Sequence, residues 1–276
     1  DSRSRSCLSK ISTRPLMSRS VAITGVLGNL GWKLITYFAE YSKAPKILGM
    51  DLKEVDESRR KEISNAASRR SGPLPEINWL QCDLTDPAHN DWPAILGQYE
   101  AVIHLAARNP FPDCTWEEAS GSLDMTIQTT LAAVRSQTTD RYVTASSNHV
   151  MGGYKEEPYI SEMAPGSLKT NTPPLAGTLI YLEKETQDST PYAYAKLAAE
   201  RLMRGLGQQE QGAITFCGIR VGWCQMGENH PSTLDSSGSH KAQARQKPGQ
   251  KTLPRDDWWY QSMWLSNRDL RSEERR

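Results

Sequence analysis

The chain has 276 residues, 37% of them hydrophobic, which is enough to build a substantial core. Its 33 Lys and Arg nearly balance 32 Asp and Glu, which argues against the broad basic field of a nucleic-acid binder and against an acidic surface selecting a cationic partner. No apolar run approaches the roughly 20 residues that cross a bilayer, so composition leaves a small-molecule site as the default.

Residues 1–19 carry Arg3, Arg5, Lys10, Arg14 and Arg19 among serines, with Asp1 the only acid. Transit peptides share that composition; a disordered basic leader is the expectation here. From Ser20 to Thr24 (SVAIT) a short apolar run predicts a buried strand, and the glycine-punctuated turn and WKLITYFAEY after it predict an amphipathic helix. Lys46 to Met50 reads as the second strand and ends at Asp51. Further strands are expected at Ile77–Gln81, Ala101–Leu105, Tyr142–Ala145 and Ile214–Ile219, with helices at Ser120–Ser136 and Tyr192–Leu206. Strands alternating with helices predict an α/β fold with a doubly wound parallel sheet of the Rossmann type. Glu156–Asp188 and Pro231–Arg255 are rich in turn-forming and polar residues and read as loops or insertions. The expected organisation is therefore a leader over 1–19, a dinucleotide-binding domain with the catalytic residues over 20–230, and a partial substrate-binding lobe over 231–276.

The segment Thr24-Gly25-Val26-Leu27-Gly28-Asn29-Leu30-Gly31 has the form T-G-x-x-G-x-x-G between strand and helix. Gly25 suits a tight turn, Gly28 lets backbone approach a pyrophosphate, and Gly31 lets the helix pack closely on the sheet. The helix N-terminus then offers N–H groups to phosphate. Asp51, twenty positions after Gly31, can accept both ribose hydroxyls of an adenosine and would repel a 2′-phosphate. The expected cofactor is NAD, although Lys53 nearby works against that preference.

Tyr192-Ala-Tyr-Ala-Lys196 places a phenol and an ammonium one turn apart on one helix face. The ammonium favours phenolate and makes tyrosine a usable acid/base near neutral pH. By itself this spacing is equally a packing aromatic beside a solvated lysine. Ser146-Ser147-Asn148-His149 follows directly on the strand RYVTA, at the carboxyl end where doubly wound sheets bind ligands. Taken together with the glycine turn, the two segments read as a site. The five histidines are dispersed and lack metal-ligand spacing. Five cysteines, Cys7, Cys82, Cys114, Cys217 and Cys224, are odd in number and contain no C-x-x-C pair, as in a reducing, cytoplasmic protein.

These residues resemble the extended short-chain dehydrogenase/reductases, the NAD-dependent epimerase/dehydratase family, from about Val21 to about Leu270. TGVLGNLG is similar to the family's nucleotide loop, with Leu27, Asn29 and Leu30 beside the glycines. Leu52 would follow the ribose acid, Asp83 and Leu84 of CDLTD would touch the adenine, and Leu105, Ala106 and Ala107 of HLAA would line the cofactor. Within the family, SSNHVMGGY most resembles uronate dehydrogenases. That resemblance implies Ser147 as the serine orienting substrate, Tyr192 as the base, and Lys196 as the residue that lowers the tyrosine pKa and holds the nicotinamide ribose. Asn109, Asn148, His149 and Arg220 would grip a sugar acid, with hydride passing to NAD and a lactone as product. An arginine suits a carboxylate because its planar donors reach both oxygens. His149 and Arg220 could equally be a hydrogen-bonded structural histidine and an ion-pair arginine.

Three features depart from the subgroup. Asn109 stands where a serine is expected, the 156–188 and 231–255 stretches are longer, and the chain stops at Arg276 where the family usually continues, so the lobe is expected to be truncated. A nucleotide-sugar epimerase or dehydratase using the same Tyr192/Lys196 pair, and a catalytically silent NAD-binding protein, are the alternatives. The expected partner is a small sugar or sugar acid, with no nucleic acid and no membrane. A homodimer through the 120–136 and 192–206 helices is a further expectation from the resemblance.

Overall fold

The computed structural model describes residues 15–108, 114–164, 167–169, 171–177, 179–181, 186–209, 213–224 and 264–265. In chain order the elements are β1 (Val21–Thr24), α1 (Asn29–Tyr41), β2 (Lys46–Asp51), α2 (Glu57–Ser68), β3 (Glu76–Gln81), α3 (Trp92–Leu96), β4 (Ala101–His104), α4 (Trp116–Arg135) and β5 (Arg141–Ser147). There follow α5 (Tyr159–Glu162), β6 (Leu179–Tyr181), β7 (Thr186–Asp188), α6 (Thr190–Gln209), β8 (Thr215–Val221), β9 (Trp223–Cys224) and β10 (Trp264–Leu265).

Six strands form one sheet in the order β3-β2-β1-β4-β5-β8. The pairings of β1 with β2 and β4, of β2 with β3 and of β4 with β5 are all parallel. The order reverses between β1 and β4, the position at which doubly wound sheets bind ligands. The fold is therefore the Rossmann-type α/β architecture expected. The central strands β1, β2 and β4 are covered on both faces, so they read as apolar runs rather than alternating. Val21 and Ile23 pack on one side with Ile35, Phe38 and Ile63, while Ala22 packs on the other with Trp92, Leu96 and Tyr142.

The chain divides into two compact units. The first comprises residues 1–109, 117–145 and 198–219; the second comprises 110–116, 146–197 and 220–276. This differs from the expected break at 230, because Ser147, Tyr192 and Lys196 group with the second unit. The leader also differs from expectation at its C-terminal end. Leu16–Ser18 make a single 3-10 turn whose Leu16 and Met17 pack on the core. Arg19, 1% exposed, places its Nη1 2.6 Å from both carboxylate oxygens of Asp140. A guanidinium so nearly desolvated needs such a partner, which ties this residue to the domain. Residues 1–14 lie outside those described.

Sequence reading passed over α2 because it buries only Ile63, Ala66 and Ala67. Its start is set by Asp56, whose side chain accepts from Arg59 N at 2.8 Å as an N-cap. The 156–188 stretch, expected to be loop, contains α5 and an antiparallel β6–β7 pair. In the second unit β9 also pairs with β10; most of the 231–276 segment, with the expected insertion, is outside the described residues. No helix among the described residues is long and apolar enough to cross a membrane.

Candidate active site

In the first unit the β1–α1 turn is built by contact between backbones. Gly25 has φ +68°, and a Cβ there would stand 2.6 Å from Ala106 N. A Cβ at Gly31 would stand 2.1 Å from Gly25 O. No other residue type fits these two positions without moving main chain. Gly28 is the N-cap of α1 and has no side chain to cap with, so no side-chain cap covers the first N–H groups of the helix, the kind of end that suits an anion.

Asp51, at the C-terminal end of β2, accepts from Leu27 N through Oδ2 at 2.8 Å and from Lys53 N through Oδ1 at 3.3 Å. Its carboxylate is thus fixed beside the turn, and Leu52 next to it is exposed. This small cradle, which a Cβ would fill, with an oriented carboxylate at its edge, fits the pyrophosphate and adenosine ribose of a dinucleotide.

Behind the turn, Thr24 Oγ1 accepts from Leu105 N and Ala106 N, each at 3.2 Å. Its own proton therefore goes to His104 Nδ1, 2.8 Å away. His104 then carries its hydrogen on Nε2, 3.1 Å from Thr126 Oγ1, and Thr126 donates to Ser122 O. This directed chain holds Leu105, Ala106 and Ala107 where β4 ends. Thr24 and His104 are functional supports that the sequence reading missed. Two buried side chains with complementary donors on adjacent strands were the available signal.

Asp83 accepts from both the hydroxyl and the N–H of Thr85. Those bonds, with Arg108 and His89 nearby, hold its carboxyl below its ordinary pKa. Its neighbour Leu84 is buried. Cys82, buried beside Asp51 and Asp83, is pushed up to about 12 and stays a thiol.

The second unit holds the other candidates. Ser147 is the last residue of β5, 3% exposed, and its Oγ accepts from His149 N at 3.2 Å, capping the 3-10 turn that begins at Asn148. It reaches Asn148 Oδ1 at 3.4 Å. His149 Nδ1 lies 3.0 Å from Ser189 Oγ, and its ring meets Tyr192 edge-on with centroids 6.0 Å apart. Tyr192 stands in the first turn of α6, and Lys196 Nζ sits 5.7 Å over its ring. Burial pulls the Lys196 ammonium down to about 8. Arg220, on β8, is partly exposed. Ser147, Asn148, His149, Tyr192 and Lys196 are therefore brought into one unit; Asn109 lies outside the described residues. Ser189 was not anticipated, since a serine before a helix reads as an ordinary start signal.

A doubly wound parallel sheet with this glycine turn, this strand-end carboxylate and a Tyr-x-x-x-Lys helix defines a dinucleotide-dependent enzyme class. The chain belongs to the NAD dependent epimerase/dehydratase family, whose model matches residues 21–229, more than half of its length. NAD is the cofactor of that family. Among solved structures, a mutated uronate dehydrogenase is similar at 18% identity and TM-score 0.51, covering 75% of this chain and 60% of that one. A UDP-galactose 4-epimerase is similar at 17% identity and TM-score 0.53, covering 82% of this chain and 63% of that one. A short-chain type dehydrogenase/reductase from Mycobacterium marinum is similar at 16% identity and TM-score 0.51, covering 94% and 91%. The chain thus spans less than two thirds of the length of the first two, and at these identities the likeness is one of fold. No curated protein matches the sequence.

Gly31→Ala is expected to weaken NAD binding, measured by calorimetry, by at least tenfold, because a single clash of this kind costs more than about 1.4 kcal/mol. Gly205→Ala, where a Cβ meets open space, is expected to leave binding unchanged and to stabilise the protein by roughly 0.5–1 kcal/mol. Lys196 gives a second expectation. Its pKa falls on folding, so between about 8 and the ordinary lysine value the unfolded chain binds more protons and stability rises with pH. Urea unfolding of Lys196→Met should therefore show a gain of about 1 kcal/mol at pH 7, discounted because the residue is partly exposed. That gain should vanish as the pH rises past the ordinary lysine value of 10.5.

Proposed function

We propose that the protein is an NAD-dependent oxidoreductase acting on the CH–OH group of a sugar acid, in the manner of uronate dehydrogenases. The observation that carries this reading is the placement of Lys196 over Tyr192 in the same unit as the Ser147-Asn148-His149 turn. Bound NAD supplies the electron acceptor. The N–H groups of the β1–α1 turn would hold its pyrophosphate and Asp51 would accept its adenosine ribose hydroxyls; in the second unit Lys196 would hold the nicotinamide ribose.

The work of the chain itself is positioning and proton transfer. Tyr192, favoured as phenolate by the Lys196 ammonium, takes the proton from the anomeric hydroxyl of a pyranose acid as that carbon is oxidised to a lactone. Ser147 donates to the reacting oxygen; its 3.4 Å contact with Asn148 is long and cheap to exchange. Asn148 and Arg220 bind the sugar, Arg220 through a two-pronged bond to the carboxylate. Support for the sugar-acid class comes from the SSNH segment and Arg220, whereas a nucleotide-sugar epimerase would use the same Tyr192 and Lys196 without net change of the cofactor.

Purified protein with NAD and a panel of uronic acids and neutral sugars is expected to accumulate reduced nicotinamide, read by absorbance, with a uronic acid only. Tyr192→Phe should lower that rate by roughly 10²- to 10⁴-fold. Arg220→Lys should raise KM at least about tenfold with kcat little changed. Retained NAD binding without reduction by any sugar acid would overturn the reading in favour of an epimerase.

A further inference from the structure

We infer that His149 and Ser189 form a positioning pair that fixes Tyr192 relative to Ser147; the inference rests on the proposed role of Tyr192 as base. Four links converge on His149, which is 7% exposed. Its N–H donates to Ser147 Oγ at 3.2 Å, and its carbonyl accepts from Gly177 N at 3.3 Å. Nδ1 is hydrogen-bonded to Ser189 Oγ at 3.0 Å, and the ring edge meets Tyr192 at an interplanar angle of 77°.

Ser189 is fully buried, and its carbonyl accepts from Ala193 N at 2.9 Å. It is therefore the residue from which the first turn of α6 hangs, and Tyr192 belongs to that turn. A shift of Ser189 is a shift of the phenol. Gly177 adds a second tie: at φ +107° its own Cβ position lies 3.0 Å from Thr190 Oγ1, so the strand of chain that bonds His149 also packs on the start of α6.

These links connect the proposed hydrogen-bond donor to the proposed base through one residue, whose main-chain N–H holds Ser147 Oγ and whose imidazole holds Ser189 and meets Tyr192. The imidazole–Ser189 bond thus ties the turn that carries Ser147 to the first turn of α6, which carries Tyr192. It assigns His149 a positioning task through Nδ1, which is engaged with Ser189. Misplacement of reacting groups by about 1 Å can cost 10² in rate, so a pair acting this way is read out in kcat.

The experiment compares Ser189→Ala, Ser189→Thr, His149→Phe and the Ser189→Ala/His149→Phe double variant in the full chain. Ser189→Ala is expected to lower kcat roughly 10- to 100-fold with KM for the sugar acid within about twofold. Ser189→Thr, which keeps the hydroxyl, should restore most of it. His149→Phe should cost about as much as Ser189→Ala, and the double variant no more than either, since one link is broken in all three. A large rise in KM for His149→Phe without an effect of Ser189→Ala, or additive losses, would overturn the inference. A second readout does not depend on sugar turnover. In protein carrying 3-fluorotyrosine, the ¹⁹F resonance assigned by Tyr192→Phe should move and broaden in Ser189→Ala and return in Ser189→Thr. An unmoved resonance would contradict the positioning role even if no sugar acid proves to be a substrate; a moved one without turnover would leave the pair standing and remove the sugar-acid reading.

Discussion

The first unit is organised around two backbone approaches too close for a side chain, Gly31 to the Gly25 carbonyl and Gly25 to the Ala106 amide. The first sets how deeply α1 seats against β1, and the second sets how the chain leaves β4. Val26 N donates to Met50 O and Leu27 N to the Asp51 carboxylate, so β2 is locked to the same turn. Three strand ends thus meet at one small loop. Exposed N–H groups at the start of a helix, where the strand order reverses, are the consequence of that packing, and they are what an anionic dinucleotide needs.

Electrostatics divides the labour between two regions. Carboxylates near the nucleotide turn are oriented by backbone N–H groups or by Thr85. In α6 the balance runs the other way, and burial makes the Lys196 ammonium costly, pulling it down to about 8. A group held charged against its surroundings is most favourable when an adjacent phenol can ionise, which is the property acid/base chemistry at Tyr192 requires. Burial of the Lys196 ammonium costs the folded state stability, and the proposed role of Tyr192 as base would make use of that ammonium.

Much of this was legible in sequence, for reasons that can be stated residue by residue. Val21–Thr24, Lys46–Asp51 and Ala101–His104 are buried on both faces, so their apolar runs announce them. The glycine spacing and Asp51 follow from steric and charge demands that few other residues meet. α2 escaped because a helix with three buried positions has almost no apolar stripe, and β6–β7 escaped because Pro, Gly and Thr around them dominate the local composition. Arg19 looked like part of a basic leader; its bond to Asp140, 121 positions away, shows its place in the domain. Ser189 was illegible for the same reason, since its value lies in a histidine 40 residues earlier. Long-range pairs of polar side chains carry no period, and they are where sequence reading stops.

The proposed reaction oxidises a sugar acid at its anomeric carbon with NAD as net acceptor. The most direct measurement uses a uronic acid deuterated at that carbon, with NAD, followed by mass spectrometry and NMR of the nicotinamide released. The account predicts one deuterium in the reduced nicotinamide per lactone formed, and a primary isotope effect when chemistry limits turnover. Deuterium retained entirely in the sugar, or a sugar with altered stereochemistry and no reduced nicotinamide, would contradict it.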